Sequence, residues 1–452
     1  MKHKILFISA NRFKEPYPVY PLGISYLCTY LREHFPEAEM KVFDMNLHDP
    51  EDLSGVIHQF KPSYIGVSLR NVDNVDSIKQ ESFFREYQAI IKVCREHSQA
   101  PVLLGGSAYS IFPELFFKKL LPDYGFIGEG EKSLCEFIRR HSSGRGFLDI
   151  EGLVFQNNDR INVNMRKEYS GKLALAFDES LVNYYWSRSG MLNIQTKRGC
   201  PFHCIYCTYP IIEGHKVRTL DADEIVKTLS EMKSKKGIDY VFFTDSVFNI
   251  QKGFNTELAE KMIDAKLDVK WGGYFTIRDL DKEHLVLLKR AGLTHIEFGT
   301  ESLSDKTLKN YGKSFTVDDV IKVSALCREV DVHYAHFLIL GGFGEDNDTL
   351  NETFENSRKI ERSVFFPYVG MRIYPGTRLH QIALKEGMTQ KQDDLLEPAY
   401  YIAPGIDIED LKARASKTGK RWVFPDEDLS RGMKRMRMKN VKGPLWEYLI
   451  QG

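Results

Sequence analysis

The sequence predicts an α/β protein in which an N-terminal Rossmann-like (flavodoxin-like) doubly wound parallel sheet precedes a partial TIM-type (β/α)6 barrel and a short C-terminal extension. Short apolar runs alternate with helix-length amphipathic segments five times before residue 142. A stretch rich in Ser and Gly interrupts this pattern at 141–146, and the alternation resumes six times after about residue 191. We therefore expect domains at 1–142 and 191–388, a connecting ribbon and linker at 143–190, and an extension at 389–452.

In the N-terminal domain, the apolar runs are short enough to be buried strands, and each precedes a helical segment. The predicted strands are Ile5–Ser9, Met40–Asp44, Tyr64–Leu69, Pro101–Leu104 and Tyr124–Ile127, and the predicted helices are 22–34, 51–60, 81–98, 110–120 and 132–141. Ligands of doubly wound sheets bind beyond the carboxyl ends of the strands. The loops expected to bind a ligand are therefore 9–23, 45–50, 69–79, 105–109 and 128–131.

After a predicted hairpin around 152–163, the second domain repeats the pattern. Its predicted strands are Leu192–Gln195, Tyr240–Thr244, Val269–Tyr274, His295–Gly299, His333–Leu340 and Phe366–Arg372. Parallel barrels also hold their chemistry at the carboxyl ends of the strands. The pattern stops near residue 390, and between Lys412 and Lys442 eleven Lys or Arg residues stand against three acidic ones. This basic segment is either a solvated face or a surface for an acidic partner.

Composition excludes several classes of protein. Hydrophobic residues make up 42% and aromatic residues 12% of the 452 residues, which is ample for folding and excludes wholesale disorder. Lys plus Arg and Asp plus Glu both number 62, so no net charge attracts nucleic acid, and nucleic acid is not an expected partner. The apolar runs are too short for a membrane span, and the N-terminus is predicted to be a strand and not a signal peptide.

The seven cysteines fall into two groups. Cys28, Cys94, Cys135 and Cys327 occur singly in predicted helices, where cysteine usually acts as a small buried hydrophobic residue. The other three lie within eight residues of one another. An odd number of cysteines without an export signal indicates a reducing cytoplasmic location.

The clustered cysteines are Cys200, Cys204 and Cys207, in the loop after the first predicted barrel strand. Three soft ligands at this spacing can converge on one metal centre. A structural zinc site normally has four ligands, and no second CxxC follows. Three thiolates on a four-iron cluster leave one iron open to a substrate or cofactor. A zinc-binding module and an iron–sulfur electron carrier or redox sensor remain alternatives.

This CxxxCxxC motif, with the aromatic Tyr206 before the last cysteine, resembles the signature of the radical S-adenosylmethionine (SAM) superfamily. Similarity to that family continues at the ends of the later predicted strands, in segments 243–248, 299–302, 341–345 and 374–377 and at Arg278. The resemblance implies that Cys200, Cys204 and Cys207 hold a [4Fe-4S] cluster and that SAM chelates its open iron.

SAM has an ammonium group, a carboxylate and an adenine ring, and each requires a different type of side chain. Acidic side chains at strand ends suit the ammonium or the ribose hydroxyls, an arginine suits the carboxylate, and an aromatic residue suits the adenine. The predicted SAM-binding residues are Tyr206, Asp245, Arg278, Glu301 and Gly342. Gly342-Phe343-Gly344-Glu345 departs from the Gly-x-Pro-Gly-Glu form that is frequent in the family.

The N-terminal domain resembles the cobalamin-binding module that precedes the barrel in one large subgroup of that superfamily. The resemblance implies cobalamin contacts at Pro21, Gly23, Ser68, Arg70, Gly105, Gly106, Ser107, Gly128, Glu129, Gly130 and Glu131. The module's Asp-x-His-x-x-Gly motif is absent from the first loop, which reads SANRFKEP. Cobalt is therefore expected to have no histidine ligand, and His48 is more typical of a structural residue.

Together the resemblances imply a cobalamin-dependent radical SAM enzyme, most simply a C-methyltransferase that acts on an unactivated carbon. In this scheme a 5′-deoxyadenosyl radical removes a substrate hydrogen and cobalamin supplies the methyl group. A radical cyclase or rearrangement enzyme is the alternative within the family. The expected partners are a small-molecule or lipid substrate and a one-electron reductant such as flavodoxin or ferredoxin.

Overall fold

The computed structural model describes residues 3–14, 16–167, 177–439 and 441–450. These residues form two compact units. The first contains 1–74, 82–184 and 208–214, and the second contains 75–81, 185–207 and 215–452. Each unit is built on one seven-stranded sheet. The domain boundaries given above remain a prediction.

The first unit has the alternation of strands and helices that the sequence predicts. Its elements are β1 Lys4–Ser9, α1 Leu22–His34, β2 Glu39–Asp44, α2 Leu53–Phe60, β3 Tyr64–Ser68, α3 Phe84–His97, β4 Val102–Gly105, α4 Ser107–Ile111, α5 Pro113–Leu120, β5 Tyr124–Phe126, α6 Glu131–His141, β6 Leu153–Asn157 and β7 Arg160–Val163. The strand order is β2-β1-β3-β4-β5-β6-β7, and the first five strands are parallel. The order 2-1-3-4-5 is the flavodoxin-like arrangement.

The predicted connecting ribbon has a more specific structure than the sequence indicates. β6 pairs antiparallel with β5, and β7 pairs antiparallel with β6, so this hairpin extends the N-terminal sheet. Leu153 and Val154 are fully buried and give the hairpin its place in the core, whereas Asn157 and Arg160 at its turn are exposed. Helix α7, Glu179–Ser189, follows it.

The second unit contains the six predicted strands and a seventh. Its elements are β8 Leu192–Ile194, β9 Lys197–Arg198, α8 Tyr209–Glu213 (grouped with the first unit), β10 Arg218–Thr219, α9 Ala222–Lys236, β11 Tyr240–Phe243, α10 Lys252–Asp264, β12 Lys270–Phe275, α11 Lys282–Arg290, β13 Leu293–Glu301, α12 Asp305–Asn310, α13 Val317–Glu329, β14 His333–Leu340, α14 Asn347–Ser357, β15 Ser363–Val369, β16 Met371–Arg372, α15 Arg378–Lys385, β17 Tyr400–Tyr401, α16 Ile408–Ser416, β18 Arg421–Trp422, α17 Ser430–Met438 and α18 Trp446–Ile450.

The main sheet of the second unit is an open, all-parallel partial barrel. Its order is β18-β15-β14-β13-β12-β11-β8, so β8 and β18 are its edges. The sequence predicts no strand at 421–422. β18 is only two residues long, and Trp422 stacks on Phe365 of β15 at 4.7 Å, so packing rather than strand length fixes this edge. The C-terminal extension therefore contributes to the sheet.

The cores follow from the buried apolar runs of the strands. In the second unit, Phe243, Phe248, Trp271 and Phe275 pack ring against ring with centroids about 5 Å apart. The four isolated cysteines, Cys28, Cys94, Cys135 and Cys327, lie in helices with exposed fractions of at most 3%, as predicted. Among the described residues, no helix combines the length and hydropathy that a membrane crossing needs.

Candidate functional site

The cysteine loop follows β9 at the carboxyl end of β8. Cys200 is buried, Cys204 and Cys207 are half-buried, and none of the three forms a disulfide bond. Ile205 anchors the loop between them, because its N–H donates to the Tyr311 carbonyl at 3.2 Å and its carbonyl accepts from the Leu379 N–H at 2.8 Å. Backbone hydrogen bonds therefore fix the loop from both sides.

A buried ion pair supports the strand that leads into this loop. The side chains of Lys197 and Asp245 are both fully buried, with Nζ and Oδ2 3.1 Å apart. Asp245 also accepts from the backbone N–H groups of Thr196, at 2.6 Å, and Lys197, at 3.1 Å, and from the Thr196 hydroxyl. Burial lowers the pKa of Lys197, and the charge of Asp245 opposes that shift.

This arrangement differs from the prediction that Asp245 contacts SAM. The Asp245 carboxylate already accepts four hydrogen bonds, all from Thr196 and Lys197. The Lys197 ammonium in turn donates to the Phe248 carbonyl at 2.8 Å and lies 4.3 Å from the Phe248 ring. Because all four hydrogen bonds come from the segment that precedes the cysteines, Asp245 positions the cysteine loop. The sequence pattern shows only that an acidic residue follows a strand. It does not show which donors form hydrogen bonds with its carboxylate.

Glu301 lies at the carboxyl end of β13, where the register with β14 shifts after Gly299. Its φ of 67° is unusual for a residue with a side chain, and such local distortions re-aim side chains at functional sites. Oε1 of Glu301 lies 3.1 Å from Nζ of Lys313, and both side chains are less than 15% exposed. Lys313 also donates to the Gly299 carbonyl at 3.3 Å.

The sequence analysis missed Lys313, which lies in the short loop between α12 and α13. Its ammonium lies 5.9 Å from the Tyr206 ring centroid and interacts electrostatically with all three cysteine thiols. Burial alone would lower the pKa of Lys313, but the charges of Glu301 and the thiols raise it instead. The signal available in the sequence was a lysine in a Tyr-Gly-Lys-Ser turn shortly after Glu301.

Two further predicted SAM-binding residues, Tyr206 and Arg278, contact the loop that contains Lys313. Burial raises the pKa of Tyr206, as does the nearby charge of Glu301, so its phenol is neutral. Arg278 follows β12 and donates from Nη1 to the Ser314 hydroxyl at 3.1 Å, next to Lys313. The structure therefore groups Tyr206 and Glu301 around Lys313 and the cysteine loop, whereas Arg278 is exposed and contacts the neighbouring Ser314.

Gly342 lies in the glycine-rich loop after β14 and packs against Tyr311. A Cβ at Gly342 would lie 2.2 Å from the Tyr311 hydroxyl oxygen, so only glycine fits there. Tyr311 thereby links this loop to the cysteine loop, which it bonds through its carbonyl. Glu345 is buried in the same loop and accepts from the Gly341 N–H, and burial raises its pKa to about 8.

In the first unit, the predicted cobalamin contacts Ser68, Arg70, Gly105, Gly106 and Ser107 form two adjoining loops at the ends of β3 and β4. The Leu69 N–H donates to the Gly105 carbonyl at 2.8 Å, and the Ser107 hydroxyl donates to the Arg70 carbonyl at 2.7 Å. Gly106 has a φ of 98°, and a Cβ there would lie 2.4 Å from the Leu69 carbonyl oxygen. The close approach of these two loops therefore requires glycine.

The other predicted cobalamin contacts lie at the starts of α1 and α6. Gly128 donates its N–H to the Ser110 hydroxyl at 2.7 Å, which ties the loop after β5 to α4. Glu129 and Glu131 are buried, and a Cβ on Gly130 would meet Leu27 of α1. Pro21 precedes α1, where a Cβ on Gly23 would meet open space. His48 stacks on Phe43 at 5.0 Å, a packing role that agrees with the sequence-based expectation.

Two family models match this chain. Residues 194–356 match the radical SAM superfamily, and residues 9–138 match the B12 binding domain. The chain therefore contains both domains, in the order that the sequence predicts.

Similar proteins extend over most of the chain. An uncharacterized methyltransferase, PH0819, of Pyrococcus horikoshii is 24% identical over 86% of this chain and 90% of its own length. Tryptophan 2-C-methyltransferase of Streptomyces laurentii is 22% identical over 83% of this chain and 73% of its own length. The radical SAM methyltransferase TsrM from Kitasatospora setae, solved with cobalamin and a [4Fe-4S] cluster bound, superimposes with a TM-score of 0.89 at 20% identity, covering 100% of this chain and 98% of that one. This likeness shows that the folds are the same.

Proposed function

We propose that this chain, which carries the two domains of the cobalamin-dependent radical SAM enzymes, is a C-methyltransferase that acts on an unactivated carbon of a small molecule or lipid. The observation that carries the proposal is the grouping of three cysteines with a buried Glu301–Lys313 pair at the carboxyl end of one parallel sheet. The relatives named as methyltransferases support methyl transfer as the reaction.

The three thiols suit a [4Fe-4S] cluster. Cys200, Cys204 and Cys207 supply three thiolate ligands and leave one iron for the amino and carboxylate groups of SAM. When bound, the cluster and cobalamin supply the electron-transfer and methyl-carrying chemistry. Lys313 interacts electrostatically with the three thiols, so its charge offsets part of the negative charge that the thiolates bring.

The Glu301–Lys313 pair is complementary to the amino-acid head of SAM. The Glu301 carboxylate suits the SAM ammonium or ribose hydroxyls, and the Lys313 ammonium suits the SAM carboxylate. Each buried charge would therefore keep an opposite charge beside it when SAM is bound. Arg278 is a second candidate for the SAM carboxylate, since it lies beside Lys313 through Ser314. Tyr206 and Gly342 complete the set, the first through its ring and the second by allowing its loop to pack closely on Tyr311.

For cobalamin, we propose that the loops after β3, β4 and β5 and the start of α1 form the binding surface. Gly106 and Gly128 have positive φ, and substituents at either position would strike neighbouring backbone. Glycine-lined loops at the carboxyl ends of parallel strands allow close approach of a large ligand. The stacking of His48 on Phe43 supports the expectation that no histidine coordinates cobalt.

The experiment uses anaerobic, cluster-reconstituted and reduced protein with cobalamin, and adds SAM carrying a CD3 methyl group to a metabolite extract. Methyl transfer predicts a CD3-labelled product by mass spectrometry, together with 5′-deoxyadenosine. Consumption of a metabolite without label would instead indicate cyclisation or rearrangement, and no turnover of SAM at all would favour an electron carrier. Cys207→Ala is the inactive control, and Cys327→Ala, a buried cysteine in α13, is its matched active control.

A further inference from the structure

A second cluster of ligand-type side chains lies at the opposite end of the same sheet. His295 and His333 stand near the amino ends of β13 and β14 and are direct partners in the register of the two strands. Glu447, in the C-terminal helix α18, reaches both of them. Its Oε2 lies 3.2 Å from Nε2 of His295 and 2.5 Å from Nδ1 of His333. The three ligand atoms all lie within 4.8 Å of one another.

We propose that His295, His333 and Glu447 form a zinc site that fastens the C-terminal helix to the sheet. Two histidine nitrogens and a carboxylate oxygen are an established zinc ligand set, and ligands 2.0–2.1 Å from a tetrahedral zinc lie about 3.3 Å apart. The two distances from the carboxylate, 3.2 and 2.5 Å, are at or below that value, and all three ligand atoms lie within 4.8 Å of one another. Small side-chain rotations therefore suffice to receive the ion.

The surroundings of His295 support metal binding. Its Nδ1 lies 2.8 Å from the Tyr240 hydroxyl and 2.8 Å from the Thr294 hydroxyl. Histidines that bind metal through one nitrogen usually bond the other nitrogen to an oxygen, which fixes the tautomer and the ring orientation. Trp446 packs edge-on against the same ring at 5.2 Å, so His295 is held on several sides.

Burial and charge also suit a divalent cation. The side chains of His295 and Glu447 are 8% and 10% exposed, whereas that of His333 is 29% exposed. The partly exposed side leaves an entry path and a place for a water molecule as the fourth ligand. Two neutral imidazoles and one carboxylate carry a single negative charge in a mostly buried cluster, which a cation compensates.

The backbone of the C-terminal segment passes close to the cluster at Gly443. Gly443 has a φ of 102°, and a Cβ there would lie 3.1 Å from the Tyr240 ring and 3.3 Å from the His295 ring. Glycine thus lets the backbone before α18 pass directly over the cluster. The site is separate from the cysteine loop, since His295 and Glu301 are six residues apart on one strand, or about 20 Å.

The test measures zinc retained by the full-length, cluster-reconstituted protein after equilibration with zinc chloride and removal of free metal. One additional zinc per chain is expected, with nitrogen and oxygen but no sulfur ligands in its X-ray absorption spectrum. Glu447→Gln and His333→Ala should each weaken zinc binding at least about tenfold. His58→Ala is the matched control, because His58 and His97 form an exposed histidine pair with a ring-nitrogen distance of 2.9 Å.

Three results would overturn the proposal. They are a zinc content of zero in the wild-type protein, zinc bound through sulfur, and equal zinc retention by wild type, Glu447→Gln and His333→Ala. The first of these would mean that Glu447 serves only as a hydrogen-bonding clamp for the two histidines. Iron content and circular dichroism of each variant show that the chain is folded, so that loss of zinc reports on the site itself.

Discussion

The two ends of strand β13 both carry buried charge, but their partners come from very different distances along the chain. At the carboxyl end, Glu301 pairs with Lys313, 12 residues away. At the amino end, His295 meets Glu447, 152 residues away. Glu301 and the cysteines of the first cluster stand out in the sequence as residue types at strand ends, whereas the second cluster depends on where the C-terminal helix lies. The pairing of Glu301 with Lys313, only 12 residues away, shows that nearness in sequence does not by itself reveal a contact.

The largest expected effect lies at the carboxyl end of the sheet. Replacing Cys204 by Ala should remove most of the bound iron and all SAM cleavage, because two thiolates cannot hold a four-iron cluster in place of three. Iron analysis and quantification of 5′-deoxyadenosine after anaerobic reconstitution measure both effects. If Cys94→Ala, in helix α3 of the other unit, removed the iron equally well, the three-thiolate assignment would fail.

The second prediction concerns the ion pair that supports the cysteine loop. Lys197→Met leaves the buried Asp245 charge without its cation, which typically costs about 3–5 kcal/mol of folding stability. Denaturant unfolding of the anaerobic protein measures the loss. Lys282→Met, which removes a cation from the exposed pair with Glu329, should cost no more than about 1 kcal/mol. Equal losses in the two variants would contradict a supporting role for the buried pair.

The third prediction concerns SAM affinity. Glu301→Gln and Lys313→Met should each keep the iron–sulfur absorption but bind SAM about 30- to 5,000-fold more weakly, since losing one side of a buried charged contact costs about 2–5 kcal/mol. Calorimetric titration of the cluster-bound variants provides the affinities. Lys306→Met is the control, because its pair with Asp346 is exposed on the neighbouring helix. Unchanged affinity in both test variants would show that the pair only holds the loop together.

The last prediction concerns Glu345 and is a dependence of stability on pH. Burial raises its pKa to about 8 in the folded protein, from an ordinary value of 4.5. The folded state therefore holds this proton more tightly than the unfolded state, and the resulting stability is lost as pH rises from about 4.5 through about 8. Glu345→Gln, which stays neutral, should gain in melting temperature relative to wild type across that range. A constant difference would mean that Glu345 is ionised throughout.

Much of the fold could be predicted from the sequence, because each strand is a short apolar run followed by an amphipathic helix. The hairpin was predicted, but its pairing with the N-terminal sheet and the two-residue strand β18 were not, since both depend on packing against another strand. Trp422 on Phe365 is the clearest case. Local periodicity contains no information about such pairings.

The candidate site could likewise be predicted only in part. The three cysteines and Glu301 stand out as residue types at strand ends, and the structure groups them as expected. The partners of Asp245 in the structure, Thr196 and Lys197, lie about 50 residues upstream and cannot be paired with it by spacing. Lys313 was missed because an isolated lysine in a turn is usually a solvated residue.

The most direct measurement is the mass of cobalamin after anaerobic incubation of the reconstituted, cobalamin-loaded protein with a chemical reductant that reduces cobalt to Co(I) and with SAM that carries a CD3 methyl group, without any substrate. Methyl transfer through cobalamin predicts that the CD3 group becomes attached to cobalamin in the presence of the protein and not in its absence. Label should still be transferred by Cys327→Ala protein. Unlabelled cobalamin, recovered from protein that binds both cobalamin and SAM, would contradict a cobalamin-dependent methyltransferase.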